Sequence, residues 1–120
     1  MNKSYDNNNI FAKILRSEIP CQKVLENDHT LAFSDINPQS PIHILIIPKK
    51  AYLNFHDFTQ NASIKEIELL WKLVSEVIKL KKISKKGFRI ISNSGVDGNQ
   101  DVPHFHIHLL GRKNLGRMMN

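Results

Sequence analysis

The stretch His104-Phe105-His106-Ile107-His108-Leu109-Leu110 alternates imidazoles with apolar side chains. A β-strand repeats every two residues, so the spacing predicts a strand with three histidines on one face and Phe105, Ile107 and Leu109 on the other. Burial of the apolar face fixes the register, because a slip of one residue would exchange the faces. Half of the chain's six histidines therefore line one rigid ledge. Imidazole titrates near neutral pH and serves as nucleophile, general acid or base, and metal ligand, so such a row points to chemistry. Two readings of these residues stand open: a metal site, and an anion site that attacks or grips a phosphate.

The segment leading into the row, Asn93 to Pro103, is long and polar for a link between strands, which favours a functional loop. Gly95 and Gly98 permit backbone angles that turn amide groups toward an anion. Pairing of the preceding strand, Phe88 to Ser92, with the histidine strand would bring Asn93 and Gln100 beside the ledge as hydrogen-bond donors. Further upstream, Ser63 and Glu66 form an S-x-x-E capping box that opens a helix running to about Lys82. Its stripe of Ile64, Ile67, Leu70, Trp71, Val74, Val77 and Ile78 reads as core.

Lys23 to Glu26, Thr30 to Asp35 and Ile42 to Ile47 read as strands, the last two divided by the turn Asn37-Pro38-Gln39-Ser40-Pro41. Pro48 is expected to end the third, which carries His43. Ile10 to Glu18 has helical spacing and Pro20 stops it. His29 and His56 fall in expected turns and receive no role. The order helix, three strands, helix, two strands predicts an α+β fold with a mostly antiparallel sheet.

A length of 120 residues suits one domain. The net charge of +6 suggests nucleic acid at first sight, but Lys79, Lys81, Lys82, Lys85 and Lys86 crowd the expected end of the long helix. Cations there suit the negative end of the helix dipole, so the run reads as a solvated cap and a nucleic-acid partner is not implied. Cys21 is the only cysteine, which excludes an internal disulfide and favours the reducing cytoplasm. The polar opening Met1 to Asn9 lacks the apolar centre of a signal peptide or membrane span and is expected to be a frayed tail.

Taken together these residues resemble the histidine triad (HIT) family, whose mark is H-x-H-x-H followed by two apolar residues. The resemblance extends to Ile10 to Pro20 (IFAKILRSEIP), Leu31 to Pro48 (LAFSDINPQSPIHILIIP), the loop Asn93 to Gln100 (NSGVDGNQ) and the ending Leu110 to Gly116, a combination similar to the Hint branch. It implies a five-stranded antiparallel sheet with two helices, continued across a homodimer. It also implies hydrolysis of the phosphorus–nitrogen bond of purine nucleoside phosphoramidates, of the adenosine monophosphoramidate or lysyl-adenylate type, with no cofactor.

On the same resemblance His106 is the nucleophile, while His104, His108 and His43 cradle the phosphate. Asn93 and Gln100 match side chains that bind phosphate oxygens, and Asp35 matches the carboxylate that holds the ribose hydroxyls. Ile10, Phe11, Ile14, Ile19, Phe33 and Ile36 match the walls of the base pocket, with Ser34 beside them. The physical chemistry agrees: a neutral imidazole, with its reference pKa of about 6.5, can attack phosphorus without a metal and split one displacement into two easier steps. Its other ring nitrogen should then donate to a fixed acceptor, for which a backbone carbonyl near His104 is the candidate.

Two departures carry information. Many bacterial relatives resemble zinc proteins whose four ligand positions correspond here to Asn9, Ala12, Ala51 and His104, so no structural zinc is expected. Asp101 stands where relatives often place Ser or Thr against the leaving group; a carboxylate there would repel phosphate unless protonated or turned outward, and instead favours cationic amines. The rival readings are a dinucleoside polyphosphate hydrolase of the same family, a nucleotide-binding regulatory module with incidental hydrolysis, and metal-dependent hydrolysis. A transferase branch resembling H-P-H-x-Q fits less well, because His108 is kept.

Overall fold

The structure is a computed structural model that describes residues 5–119. Its elements are α1 (Ile10–Leu15), β1 (Lys23–Glu26), β2 (Thr30–Ser34), β3 (Ile42–Pro48), α2 (Phe55–Asn61), α3 (Ile64–Lys81), β4 (Phe88–Ile91) and β5 (Ile107–Gly111). All pairings are antiparallel, and the strands lie in the order β1-β2-β3-β5-β4. The fold is the α+β arrangement with a five-stranded antiparallel sheet expected from the sequence, with one additional short helix, α2.

Strand β3 is buried along its whole length because it is central and covered on both faces. Alternate residues serve two layers. Ile42, Ile44 and Ile46 join Phe105, Ile107 and Leu109 beneath the apolar side of α3, where Leu70, Leu73, Val74 and Val77 are buried. Leu45 and Ile47 face the other way, against Leu31, Phe33 and Phe11 of α1. Helix α3 opens at Ser63 with both halves of the capping box in place and carries Lys79 and Lys81 in its last turn, as the dipole favours.

The second layer places the site. Its facing rows run Leu31 and Ile47, then Phe33, Leu45 and His108, then Asp35 and His43, the amide of Asp35 donating to the His43 carbonyl at 3.0 Å. This face turns from apolar to polar along its length, so α1 covers one end and leaves the other as a cleft.

Several expectations are corrected. Strand β5 starts at Ile107, so His104 and His106 lie just before the ladder. Neither histidine is on an open ledge, since both are buried beneath the α1 layer. Helix α1 stops at Leu15 rather than Glu18, where Ser17 takes a positive φ. Strand β3 does stop at Pro48, which is included as its last residue and pairs with Thr30, one position beyond the expected Ile47. His56 lies in α2. Trp71 is 44% exposed and Ile64, the first residue of α3, is 86% exposed, so the expected stripe is not buried throughout. The tail expected over 1–9 is ordered over 5–9: Asn9 is the buried N-cap of α1, its side-chain oxygen accepting from the Ala12 amide. Residues 1–4 of that expectation lie outside the described residues.

Candidate active site

A cleft of about 210 Å³ opens at the polar end of the second layer. The expected base-pocket residues Ile10, Phe11, Ile14, Ile19, Phe33, Ser34 and Ile36 all line it, together with Asp35, His106, His108 and Asp101. Pro20, Cys21, Leu45 and Val102 also line it, none of which the sequence marks out as a pocket residue. One half of the cleft is therefore apolar enough for a flat heterocycle, and the other presents imidazoles and carboxylates.

His106 sits at the junction. Its ring packs edge-on against Phe11, with centroids 4.9 Å apart, and against His108 at 5.0 Å. Nδ1 of His106 lies 2.7 Å from the carbonyl oxygen of His104. A carbonyl only accepts, so Nδ1 carries the hydrogen and the lone pair resides on Nε2. Nε2 stands 3.7 Å from a carboxylate oxygen of Asp101, whose side chain is mostly exposed, which places that nitrogen on the open side of the ring. The His106 side chain itself is only 1% exposed, so a reactant meets it through the cleft alone.

Partner chemistry also fixes the other tautomers. The amide of Gln39 donates to Nδ1 of His43 at 3.0 Å, which leaves the His43 hydrogen on Nε2. That atom lies 2.9 Å from Nδ1 of His108 and 3.3 Å from Asp35. His108 thus accepts at Nδ1 and keeps a hydrogen on Nε2. His43 is not part of the cleft wall and meets the site through His108 and Asp35.

His104 is fully buried, with both ring nitrogens engaged. Nε2 faces the Pro48 carbonyl at 2.9 Å, and Nδ1 faces the Tyr5 hydroxyl at 2.5 Å. Its side chain is brought into the row of imidazoles but does not reach the cleft. Burial pushes its pKa down to about 4, against the opposing bond to Pro48, with His106 adding to the fall. His108 is also pushed down to about 4, first by burial and then by the neighbouring His106 and His43, while Asp35 and Asp101 oppose. Burial lowers His43 as well, with Asp35 opposing. These three rings are neutral donors and acceptors at neutral pH.

Asn93 and Gln100 are turned onto the loop that holds them. Asn93 Nδ2 donates to the Gly98 carbonyl, and Gln100 Nε2 donates to the carbonyls of Leu53 and Val102 while its oxygen accepts from Gly95. A Cβ on Gly98 would fall 2.4 Å from the Ser94 carbonyl oxygen, so the loop needs glycine there. Neither amide side chain is part of the cleft wall.

The metal readings find little support in these donors. Among the described residues, Asp35, His43 and His108 bring ligand-type atoms within 4.8 Å of one another. A cation among them would need the Nε2 lone pair of His43, yet the Gln39 amide forces the hydrogen onto that atom. Of the four positions that correspond to zinc ligands in relatives, two are alanines, Asn9 caps α1, and His104 has both nitrogens engaged. These residues do not fit a zinc ion.

The model of the HIT domain family matches residues 16–115. An uncharacterised 13.2 kDa HIT-like protein of Azospirillum brasilense is 54% identical over 119 residues, 99% of this chain and 98% of that one. The solved histidine triad protein of Clostridium difficile superposes with a TM-score of 0.82 at 40% identity, over 93% of this chain and 96% of that one. A HIT family hydrolase of Clostridium thermocellum superposes with a TM-score of 0.81 at 33% identity, over 96% and 99%. No helix among the described residues is long and apolar enough to cross a membrane.

Proposed function

The chain belongs to the HIT domain family, and from that premise we propose that it hydrolyses purine nucleoside phosphoramidates through a nucleotide covalently held on His106. The observation that carries this reading is the 2.7 Å contact from His106 Nδ1 to the His104 carbonyl, which keeps the Nε2 lone pair on the cleft side. The hydrolase of Clostridium thermocellum with the same fold supports the reaction class.

In the proposed reaction the purine lies between the apolar walls of Phe11, Ile14 and Phe33, and Asp35 accepts from the ribose hydroxyls. Nε2 of His106 attacks phosphorus as the phosphorus–nitrogen bond breaks, and the bridging nitrogen takes a proton from solvent at the cleft mouth so that it departs as a neutral amine. The positive charge that develops on the imidazole is held by the Nδ1–H bond to the fixed carbonyl. His108 donates its Nε2–H to a non-bridging oxygen, and His43 acts by holding His108 in that tautomer. Water then cleaves the nitrogen–phosphorus bond on His106 and releases the nucleoside monophosphate. Asn93 and Gln100 shape the loop in this account and reach phosphate oxygens only after exchanging their present partners.

The proposal includes a cytoplasmic homodimer in which the sheet continues through β4. Its support is that β4 is an edge strand whose Phe88 and Ile90 are partly exposed. Rapid quench of the protein with adenosine phosphoramidate, followed by peptide mass spectrometry, tests the mechanism. The expected result is an adenylyl adduct on His106 that His106→Ala lacks; turnover by that variant at the wild-type rate would refute it.

A further inference from the structure

The carbonyl that orients His106 is not held by the sheet. The ladder between β3 and β5 reaches only to Ile107, three residues beyond His104. What fixes residue 104 is a set of local pins: the amides of His104 and Phe105 donate to the carbonyls of Val102 at 2.8 Å and Tyr52 at 2.7 Å, its Nε2 donates to the Pro48 carbonyl, and its Nδ1 accepts from the Tyr5 hydroxyl. The direction of the last bond follows from the second, since Nε2 must carry the hydrogen to satisfy Pro48.

We propose that Tyr5 is a positioning residue for the nucleophile: its hydroxyl locks the His104 ring, and through it the carbonyl that sets the tautomer of His106. Tyr5 is suited to this in three ways. Its ring meets His104 edge-on at 5.7 Å between centroids, so it packs as well as donates. Burial raises its phenol pKa above the ordinary value, which keeps the hydrogen in place at any physiological pH. The segment that carries it is also built onto the fold. Asn9 donates from both its amide and its side chain to the Asp6 carbonyl, and Arg16 reaches back to the Asn7 carbonyl.

The consequence is that a residue remote from the cleft controls the rate of the chemical step without touching the nucleotide. Loss of the hydroxyl leaves a buried imidazole nitrogen without its partner, and the ring can relieve this only by turning or by exchanging tautomers. A tautomer exchange also breaks the bond to Pro48, so either change frees the ring and loads the backbone of residue 104, whose carbonyl His106 uses. The apolar walls that bind the base are unaffected, so the effect falls on turnover and not on affinity.

The inference rests on the proposed role of His106, and its test separates the two. Tyr5→Phe keeps the ring contact and removes only the hydroxyl. We expect kcat on adenosine phosphoramidate to fall by about 10- to 100-fold with KM within about twofold. In ¹⁵N spectra of the imidazoles at pH 7, the wild type should show His104 with hydrogen on Nε2 and His106 with hydrogen on Nδ1. In Tyr5→Phe the His106 signals should move toward a mixture of tautomers. Unchanged kcat together with unchanged His106 signals in the variant would overturn the proposal, as would hydrogen on Nδ1 of His104 in the wild type. If the wild type fails to hydrolyse phosphoramidates, the proposed function falls, and the spectra alone still decide the role of Tyr5.

Discussion

The Nε2 atom of His43 lies 2.9 Å from Nδ1 of His108, across the diagonal of two paired strands. Because the Gln39 amide occupies the other nitrogen of His43, this contact has one direction, from His43 to His108. A backbone amide in a turn thereby dictates, through two rings, which nitrogen of His108 offers a hydrogen to the cleft.

His43→Ala should remove that direction and leave His108 free to place its hydrogen on Nδ1. The expected result is a fall in kcat of about 10²- to 10³-fold, the effect of losing one preorganised donor. His43→Gln, which can still donate to His108, should recover part of the loss. Steady-state kinetics of the two variants check this, and equal rates for both would rule it out.

Stability should depend on pH through His104 and His108. Their folded pKa values are pushed down to about 4, so the unfolded chain, near 6.5, takes up protons first. Stability is full above about pH 6.5 and declines as pH falls from there to about 4, below which these groups add no further loss. For fully buried His104 the decline amounts to roughly 3 kcal/mol, and the half-buried His108 contributes less. Thermal unfolding from pH 8 to pH 4 measures it, and His104→Asn should flatten the slope.

Asp101 accepts from the Val102 amide at 2.9 Å with the same oxygen that stands 3.7 Å from His106 Nε2, so its side chain, though mostly exposed, keeps a carboxylate oxygen at the mouth of the cleft. Attraction from this carboxylate should favour substrates whose departing amine bears a further positive charge. Asp101→Ser should lower that preference severalfold, measured as the ratio of kcat/KM for charged and neutral amines, and added salt should lower it in the wild type. An equal gain for both amines would contradict it.

Chelation should leave activity unchanged, because the tautomer of His43 denies a cation its central ligand. Turnover measured after dialysis against a strong chelator, with and without added zinc, checks this. Loss on dialysis with recovery on zinc would restore the metal-dependent reading.

Alternation made much of the fold legible. The residues of β1 to β5, the capping box at Ser63 and Glu66, and the opposed faces of residues 104 to 109 follow from periods of two and 3.6 and from turn residues. Helix α2 escaped because Phe55 to Asn61 mixes apolar and polar residues without a clear stripe; its N-cap, Asn54, was the available signal. Trp71 read as core because its helical phase fits, yet it is left 44% exposed at the margin of the buried stripe. The cleft walls were legible through the family resemblance. The groups that set the tautomers were not, since the carbonyls of His104 and Pro48 and the amide of Gln39 belong to the backbone and have no letter in the sequence. Tyr5 escaped for another reason: a polar terminus gives no periodic signal of where it docks.

The loop from Asn93 to Pro103 is cross-braced by its own amides and tied by Gln100 to the Leu53 carbonyl. Its shape exists before any nucleotide arrives, so association need not bear the entropy of ordering eleven residues. Encounter with the cleft should accordingly be rapid and simple, with a single kinetic phase in place of a slow closure.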